Sequence, residues 1–397
     1  MKRNPNLALL QQQYLFPQIN QRKKEFLARE PGTELISLGI GDTTEAIPRS
    51  IVEGLAEGAQ RLGHKKTYTG YGPEQGHEEL RTAIAHTLYQ DRITPSSIFI
   101  SDGAKCDIGR LQLLFGRTVK IALQDPAYPV YRDGSLLQGV ADITYLPCTP
   151  QNNFFPDLTP AKNCDLLYFC SPNNPTGAVA TRDQLTELVA FARKNKQIIL
   201  FDSAYAAYIQ DPSLPRSIYE IDGAEEVAIE TSSFSKIAGF TGVRLGWSIV
   251  PEQLKYEDGQ SVQRDWSRIT STIFNGASNI AQAGGLQILK QAGLAEVKQL
   301  IAFYMENAHL LSNALKEQGI PVYGGQHAPY VWAHFPNNPS WETFQYFLES
   351  LHLVVTPGSG FGPTGEGFIR LTAFNSRENI NKACKIIANN SLLSIKL

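Results

Sequence analysis

The chain has 397 residues, 42% of them hydrophobic, and its 36 basic and 38 acidic side chains leave a formal net charge of −2. That length accommodates two or three domains and a large core, and the balanced charge, with no basic stripe, excludes the electrostatic footprint of a nucleic-acid or anionic-membrane binder. Five cysteines (Cys106, Cys148, Cys164, Cys170 and Cys384) form an odd set without a C-x-x-C pair, which argues for reduced, mostly buried thiols over a disulfide framework or zinc site. The start leads into Gln11-Gln12-Gln13 instead of an apolar signal core, and no run reaches membrane-spanning length, so a cytoplasmic location is expected.

Residues 1–45 read as an arm: a basic helical piece from Gln18 to Arg29, closed by Pro31-Gly32, then a short strand from Leu35 to Leu38 and the turn Gly39-Ile40-Gly41-Asp42. A helix near Ile51 to Leu62 precedes a loop from Lys66 to Gly76, whose density of tyrosine and glycine marks a contact segment. From Ile98 to Val250 short apolar runs alternate with amphipathic ones. Seven candidate strands fall near Ile98, Lys120, Ile143, Leu167, Ile199, Ala228 and Trp247, with helices from Ala104 to Leu114, Tyr131 to Gln138 and Arg182 to Asn195, the last capped by Thr181. Such alternation predicts an α/β fold with a mostly parallel sheet covered by helices on both faces. A long helical region from Ile280 to Glu317 leads into a smaller α+β unit. Its strands are expected near Val322, Val331 to Phe335, Val354-Val355 and Phe368 to Leu371, and its helices near Trp341 to Leu351 and Asn379 to Ala388. The expected division is 1–45 as an arm with part of the small domain, 46–284 as the large domain and 285–397 as the small domain. There is no internal repeat.

Ligands of open α/β sheets bind beyond the carboxyl ends of strands, and the residues capable of chemistry fall there. Ser101-Asp102-Gly103-Ala104-Lys105 follows the first strand of the sheet and opens a helix, whose free amides suit a phosphate. Ser171 to Gly177 follows the fourth and fixes Asn174 in a turn. Asp202-Ser203-Ala204-Tyr205 closes the fifth, with Asp202 beside an apolar wall. The sixth, from Val227 to Ser233, runs into Phe234-Ser235-Lys236, followed by Gly239, Gly242, Arg244 and Gly246. Read as extended backbone, this segment presents the Ser233 and Ser235 hydroxyls on one face and starts Lys236 on the other. Two hydroxyls, a guanidinium and open glycine backbone suit a phosphate dianion, and a lysine among cations can form a Schiff base with that ligand's carbonyl. Those are the requirements of a pyridoxal phosphate anchor, although S-x-S-K alone also fits a solvated loop lysine.

Asn174, Asp202, Tyr205, Lys236 and Arg244 occur in the strings S-P-N-N-P-T-G, D-x-A-Y and S-x-S-K-x-x-G-x-x-G-x-R-x-G-W. Through these the chain resembles, over essentially its whole length, the class I/II aminotransferases of the aspartate aminotransferase fold. Lys105 in D-G-A-K, the loop G-Y-G-P-E-Q-G and the opening Gly39 to Asp42 resemble the LL-diaminopimelate aminotransferase branch. The resemblance implies a seven-stranded large domain with a smaller α+β domain, pyridoxal 5'-phosphate as cofactor, no metal, and a homodimer with shared active sites. It implies exchange of LL-2,6-diaminopimelate and 2-oxoglutarate with tetrahydrodipicolinate and glutamate. A broader α-amino acid aminotransferase, or a carbon–sulfur β-lyase on the same scaffold, remains open. By the same resemblance Lys236 carries the cofactor and shuttles the proton, Asp202 meets the pyridine nitrogen, Asn174 and Tyr205 donate to the phenolic oxygen, and Tyr128 stacks on the ring. Ser233, Ser235, Arg244 and the amides of Ala104 and Lys105 hold the phosphate, joined by Tyr71 from the second chain. Arg370 pairs with the substrate α-carboxylate, and Glu74 from the second chain recognises the distal end. Tyr14, Gly41, Lys105, Tyr128, Asn174 and Asn275 match substrate positions, Asn275 also meeting the cofactor.

Overall fold

The computed structural model describes residues 1–10 and 14–392. The chain begins with α1 (Leu15–Arg29), β1 (Ile36–Ser37), α2 (Arg49–Leu62) and α3 (Glu78–Tyr89). It then alternates through β2 (Ile98–Ser101), α4 (Ala104–Leu111), β3 (Ile121–Asp125), α5 (Val130–Leu137), β4 (Ile143–Pro147), β5 (Leu166–Cys170), α6 (Arg182–Asn195) and β6 (Ile198–Asp202). After β7 (Ala228–Ser233), the single turn α7 (Phe234–Ile237) and β8 (Gly246–Ile249) come three helices, α8 (Val262–Ile273), α9 (Asn279–Ile288) and α10 (Gln291–Glu317). The remainder is β9 (Val322–Gly324), β10 (Tyr330–His334), α11 (Ser340–Glu349), β11 (Leu353–Val354), β12 (Thr356–Pro357), β13 (Phe368–Thr372) and α12 (Arg377–Ala388).

The seven-stranded sheet has the order β2-β8-β7-β6-β5-β3-β4. β8 alone runs against its neighbours, pairing antiparallel with both β2 and β7. The register sets Gly246 opposite both Ser101 and Ser233, and Cys170 beside Asp202, so the carboxyl ends of β2, β5, β6 and β7 share one edge with the start of β8. β2, β3, β5 and β7 are buried along their whole length, as strands covered on both faces must be. α6 has the predicted bounds, and its cap is a reciprocal pair in which Thr181 accepts from the Gln184 amide and the Gln184 side chain from Thr181.

In the C-terminal part a four-stranded antiparallel sheet has the order β12-β13-β10-β9. β1 pairs in parallel with β11, and the Thr372 amide donates to the Leu38 carbonyl at 2.8 Å. The early segment therefore packs with the end of the chain. The helical region from Ile280 to Glu317 is not continuous: it breaks at Leu289-Lys290, where Lys290 is extended. Gly293 permits this corner, since a Cβ there would meet the Gln287 carbonyl oxygen at 2.1 Å. α3 and α8 are additional to the expected helices. Both carry a signal in the sequence, Leu80-Ile84 and Val262-Trp266-Thr270 at four-residue spacing, with Ser261 capping α8.

Candidate active site

A cavity of about 360 Å³ lies beyond that shared edge. Its wall includes Lys236, Asp202, Tyr205, Asn174, Tyr128, Arg244 and Arg370, together with Gly41, Ala104, Lys105, Ser233 and Ser235. These residues span 330 positions of the chain: the common edge of the parallel strands collects most of them, and the loop after β1 and strand β13 of the smaller sheet bring Gly41 and Arg370 to face it.

One end of the cavity is built for an anion. Ser233 ends β7 and its hydroxyl accepts from the Ser235 amide at 3.0 Å, turning the chain into α7. This corrects the extended reading of 233–236: the helical turn brings Lys236 onto the same wall as the two serines. Arg244 donates to the Ser235 hydroxyl at 3.3 Å and the Thr241 carbonyl at 3.1 Å, from a left-handed backbone with φ of 67°. Among the described residues it has no carboxylate partner. Gly103, at the head of α4, lets the guanidinium approach the helix N-terminus, because a Cβ there would lie 2.5 Å from Arg244 Nη2. Hydroxyls, helix amides and a guanidinium with no acid to neutralise it together suit a phosphate group.

At the floor, Asp202 is buried and accepts from the Tyr131 hydroxyl at 2.7 Å and the Ala204 amide at 3.0 Å. Burial pushes its pKa up, with the Tyr131 bond opposing. Both donors are neutral, so the carboxylate is free to face a cationic N–H. Tyr128 packs edge-on against Tyr131 with ring centroids 6.0 Å apart. The Tyr205 hydroxyl lies 2.6 Å from that of Tyr330.

Lys236 reaches across to donate to the Gly41 carbonyl. Burial lowers its pKa to about 8; Asp42 opposes the shift, and Arg370 and Arg244 add to it. About one amine in ten is therefore neutral at pH 7, and about half at pH 8.

Arg370 on β13 is 1% exposed. It donates to Asn174 Oδ1 and to the Gly39 carbonyl, each at 2.6 Å, while its Nε is buried without a partner. Aromatic rings enclose it, Tyr330 at 4.4 Å and Phe361 at 4.9 Å from the guanidinium carbon. Among the described residues no carboxylate balances this cation, which leaves the planar fork available to a substrate carboxylate.

Four predicted site residues stand outside the cavity wall. Tyr14 packs at its margin, with the Lys105 ammonium 5.2 Å from its ring and its hydroxyl buried beside Tyr128. Tyr71 is 88% exposed, and Glu74 and Asn275 are exposed as well. The last two are neighbours, since a Cβ on Gly276 would lie 3.7 Å from the Glu74 Cα. Sequence reasoning missed Tyr131 and Tyr330, the partners of Asp202 and Tyr205; tyrosines commonly pack half-buried, and nothing local distinguishes these two. Among the described residues no group of three or more His, Cys, Asp or Glu could hold a metal ion, and no helix is long and apolar enough to cross a membrane. The five cysteines are free, Cys148, Cys164 and Cys170 buried and the other two half-buried.

A lysine, an aspartate and an arginine at the carboxyl edge of an α/β sheet, faced across one cavity by a second arginine from the smaller sheet, define a class, and comparison with known proteins agrees: the chain belongs to the aminotransferase class I and II family, whose sequence model matches residues 33–387. It is 54% identical over 407 residues to the LL-diaminopimelate aminotransferase of Protochlamydia amoebophila, covering 100% of this chain and 99% of that one. It is 53% identical over 397 residues to the chloroplastic LL-diaminopimelate aminotransferase of Arabidopsis thaliana, covering 97% and 86%. The structure superimposes on the L,L-diaminopimelate aminotransferase of Chlamydomonas reinhardtii with a TM-score of 0.95 at 53% identity, over 98% of both chains. It superimposes on substrate-bound BacF of Bacillus subtilis with a TM-score of 0.85 at 26% identity, also over 98% of both.

Proposed function

We propose that this chain transfers an amino group between LL-2,6-diaminopimelate and 2-oxoglutarate, interconverting them with tetrahydrodipicolinate and glutamate, using pyridoxal 5'-phosphate attached at Lys236. The observation that carries the reading is the meeting of the Lys236 amine, the Asp202 carboxylate and the Arg244 and Arg370 guanidiniums on one cavity. The substrate assignment rests on relatives of that name at 54% and 53% identity over nearly the whole chain.

The cavity's donor set fits the cofactor. Arg244, Ser233, Ser235 and the start of α4 would hold its phosphate, Asp202 its ring nitrogen, and Asn174 and Tyr205 its phenolic oxygen. Tyr128, after β3, would lie against the ring. When bound, the cofactor supplies an aldehyde carbon for the amine and a conjugated ring that accepts electrons. Asp202 keeps a proton at the ring nitrogen, and Tyr131 orients the carboxylate that does so. Arg370 binds the α-carboxylate common to the amino acid and the oxo acid and so fixes the α-carbon before Lys236. Freed by the incoming amine, Lys236 takes the α-proton and returns it on the other side of the transfer, acting at Nζ as base and then as acid.

The working unit in this reading is a homodimer with shared sites. Tyr71, Glu74 and Asn275 then serve the second copy's cavity, Tyr71 at the phosphate and Glu74 at the distal ammonium of diaminopimelate. Exposed apolar side chains support this, Val52, Tyr68 and Ile273 being 46%, 64% and 53% accessible. The large domain spans 46–284, and the arm packs with the small domain 285–397 through the β1–β11 pair.

The test is steady-state kinetics of purified holoenzyme with a panel of amino donors and 2-oxoglutarate. LL-diaminopimelate is expected to give the highest kcat/KM by at least about tenfold. Comparable values for glutamate-like or aromatic donors would replace the reading with a broad aminotransferase, and pyruvate and ammonia from cystathionine would replace it with a β-lyase.

A further inference from the structure

Glu230, in the middle of β7, is 1% exposed and is not part of the cavity wall. Among the described residues no basic side chain pairs with it; four neutral donors from three segments saturate it instead. Oε1 accepts from the Tyr89 hydroxyl at 2.8 Å and the Ser203 hydroxyl at 2.7 Å. Oε2 accepts from the Ser217 hydroxyl at 2.6 Å and the Ile218 amide at 3.2 Å. Tyr89 in turn accepts from the Trp247 indole at 2.9 Å, and the Trp247 ring lies 4.8 Å from Phe234, between the two cavity serines.

Ser203 connects this hub to the chemistry. It follows Asp202, its amide donates to the Thr231 carbonyl at 2.9 Å and its hydroxyl donates to Glu230. The next amide, that of Ala204, donates to Asp202 Oδ1 at 3.0 Å. The turn that aims Asp202 and Tyr205 into the cavity is thus held from behind by a buried carboxylate. A buried ion without a counter-ion is costly, and packing alone does not call for one. Burial delays ionisation of Glu230 to about pH 7; once ionised, the carboxylate offers four acceptor sites on two atoms and charge-assisted bonds stronger than neutral ones, which suits a clamp on three segments.

We propose that Glu230 is a positioning residue for transamination, acting through Ser203 to fix the turn that presents Asp202 and Tyr205. The inference rests on the functional reading above. Glu230→Gln can be accommodated: its carbonyl can keep Ser217 and Ile218 while its amide turns to the oxygens of Tyr89 and Ser203, and the Ser203 hydroxyl moves to the Thr231 carbonyl, already 3.3 Å away. The variant then folds with a weakened hold on Ser203. Ser203→Ala removes the same link without touching the buried carboxylate. The other titratable groups facing Glu230 are Tyr89 and Tyr219, both held well above the usual tyrosine range chiefly by burial and hence neutral in the working range.

The experiment measures kcat, KM and the pH titration of the bound cofactor's visible band for wild-type, Ser203→Ala, Glu230→Gln and doubly substituted holoenzymes. Each single variant is expected to lose about tenfold in kcat with both KM values within about twofold, because Arg370 and Asn174 are untouched. The band's midpoint should move by about half a pH unit or more, and the double variant should be no slower than the worse single one. A folded Ser203→Ala enzyme with wild-type kcat and midpoint would overturn the proposal whether or not Glu230→Gln folds, as would a loss confined to Tm. Wild-type enzyme inactive with diaminopimelate would instead sink the functional reading, so the two failures are distinguishable.

Discussion

Replacing Arg370 by lysine separates substrate recognition from cofactor chemistry. The guanidinium uses one Nη on Asn174 and the other on the Gly39 carbonyl, and keeps Nε unpartnered. A substrate carboxylate presented to this fork would receive two parallel charge-assisted bonds, each worth about 1.5–3 kcal/mol. Lysine retains the charge but offers a point donor on a different stem, so one bond and the alignment of the other are lost. The expected loss is about 2–4 kcal/mol, which is about 30- to 1000-fold in kcat/KM. Because the α-carboxylate is common to both partners, the half-reactions with diaminopimelate and with 2-oxoglutarate should slow by the same factor. Rapid mixing of holoenzyme with diaminopimelate, and of enzyme already aminated by an amino donor with 2-oxoglutarate, followed by the bound cofactor's visible band, reads each rate separately. An amine lacking the carboxylate should react equally slowly with wild type and variant. A change below about threefold, or an equal loss with the carboxylate-free amine, would refute the assignment of Arg370.

The remaining predictions concern titration and the second chain. With its pKa lowered to about 8, Lys236 is increasingly protonated below that pH, so the rate at which apoenzyme captures the aldehyde cofactor should fall about tenfold per pH unit below about 8 and level off above it; Lys236→Ala should abolish both capture and turnover. Glu230 is raised by burial from 4.5 to about 7, so the folded protein holds a proton that the unfolded chain releases between those values. Wild type should therefore lose stability relative to Glu230→Gln as pH rises from about 4.5 to about 7, by about 3 kcal/mol, and no further above that; parallel Tm curves across the window would contradict it. Glu74→Gln should raise the KM for diaminopimelate and leave that for 2-oxoglutarate within about twofold. Mixing inactive Lys236→Ala with Glu74→Ala should restore activity through hybrid dimers, since one site then combines an intact lysine with an intact glutamate; no recovery after verified subunit exchange would refute shared sites.

The chemistry was legible in the sequence where it is local. Ser233, Ser235, Lys236 and Arg244 sit within twelve residues, and the requirement for an anion and an amine could be read from their types. Their relative facing could not, because the strand stops at Ser233 and the helical turn begins one residue later. The alternating strands and helices were readable from periodicity, and the rule that sites lie beyond strand ends placed Asn174, Asp202 and Tyr205. Contacts between distant segments left no trace. Tyr131 meets Asp202 across 71 positions, Tyr330 meets Tyr205 across 125, and Glu230 meets Tyr89 across 141. The orientation of β8 was equally hidden, because a reversed strand buried on both faces has the composition of a parallel one. Tyr71, Glu74 and Asn275 illustrate a different limit: a single chain leaves them exposed, and a role for them requires a second copy.

The most direct test of the account is a two-step titration of purified holoenzyme, first with LL-diaminopimelate alone and then with 2-oxoglutarate. The account predicts that the first addition abolishes the bound cofactor's visible band and that the second restores it, with one glutamate formed per diaminopimelate consumed. A band unchanged by diaminopimelate, or its change accompanied by release of ammonia and no glutamate, would contradict the assignment of this cavity to amino-group transfer from that substrate.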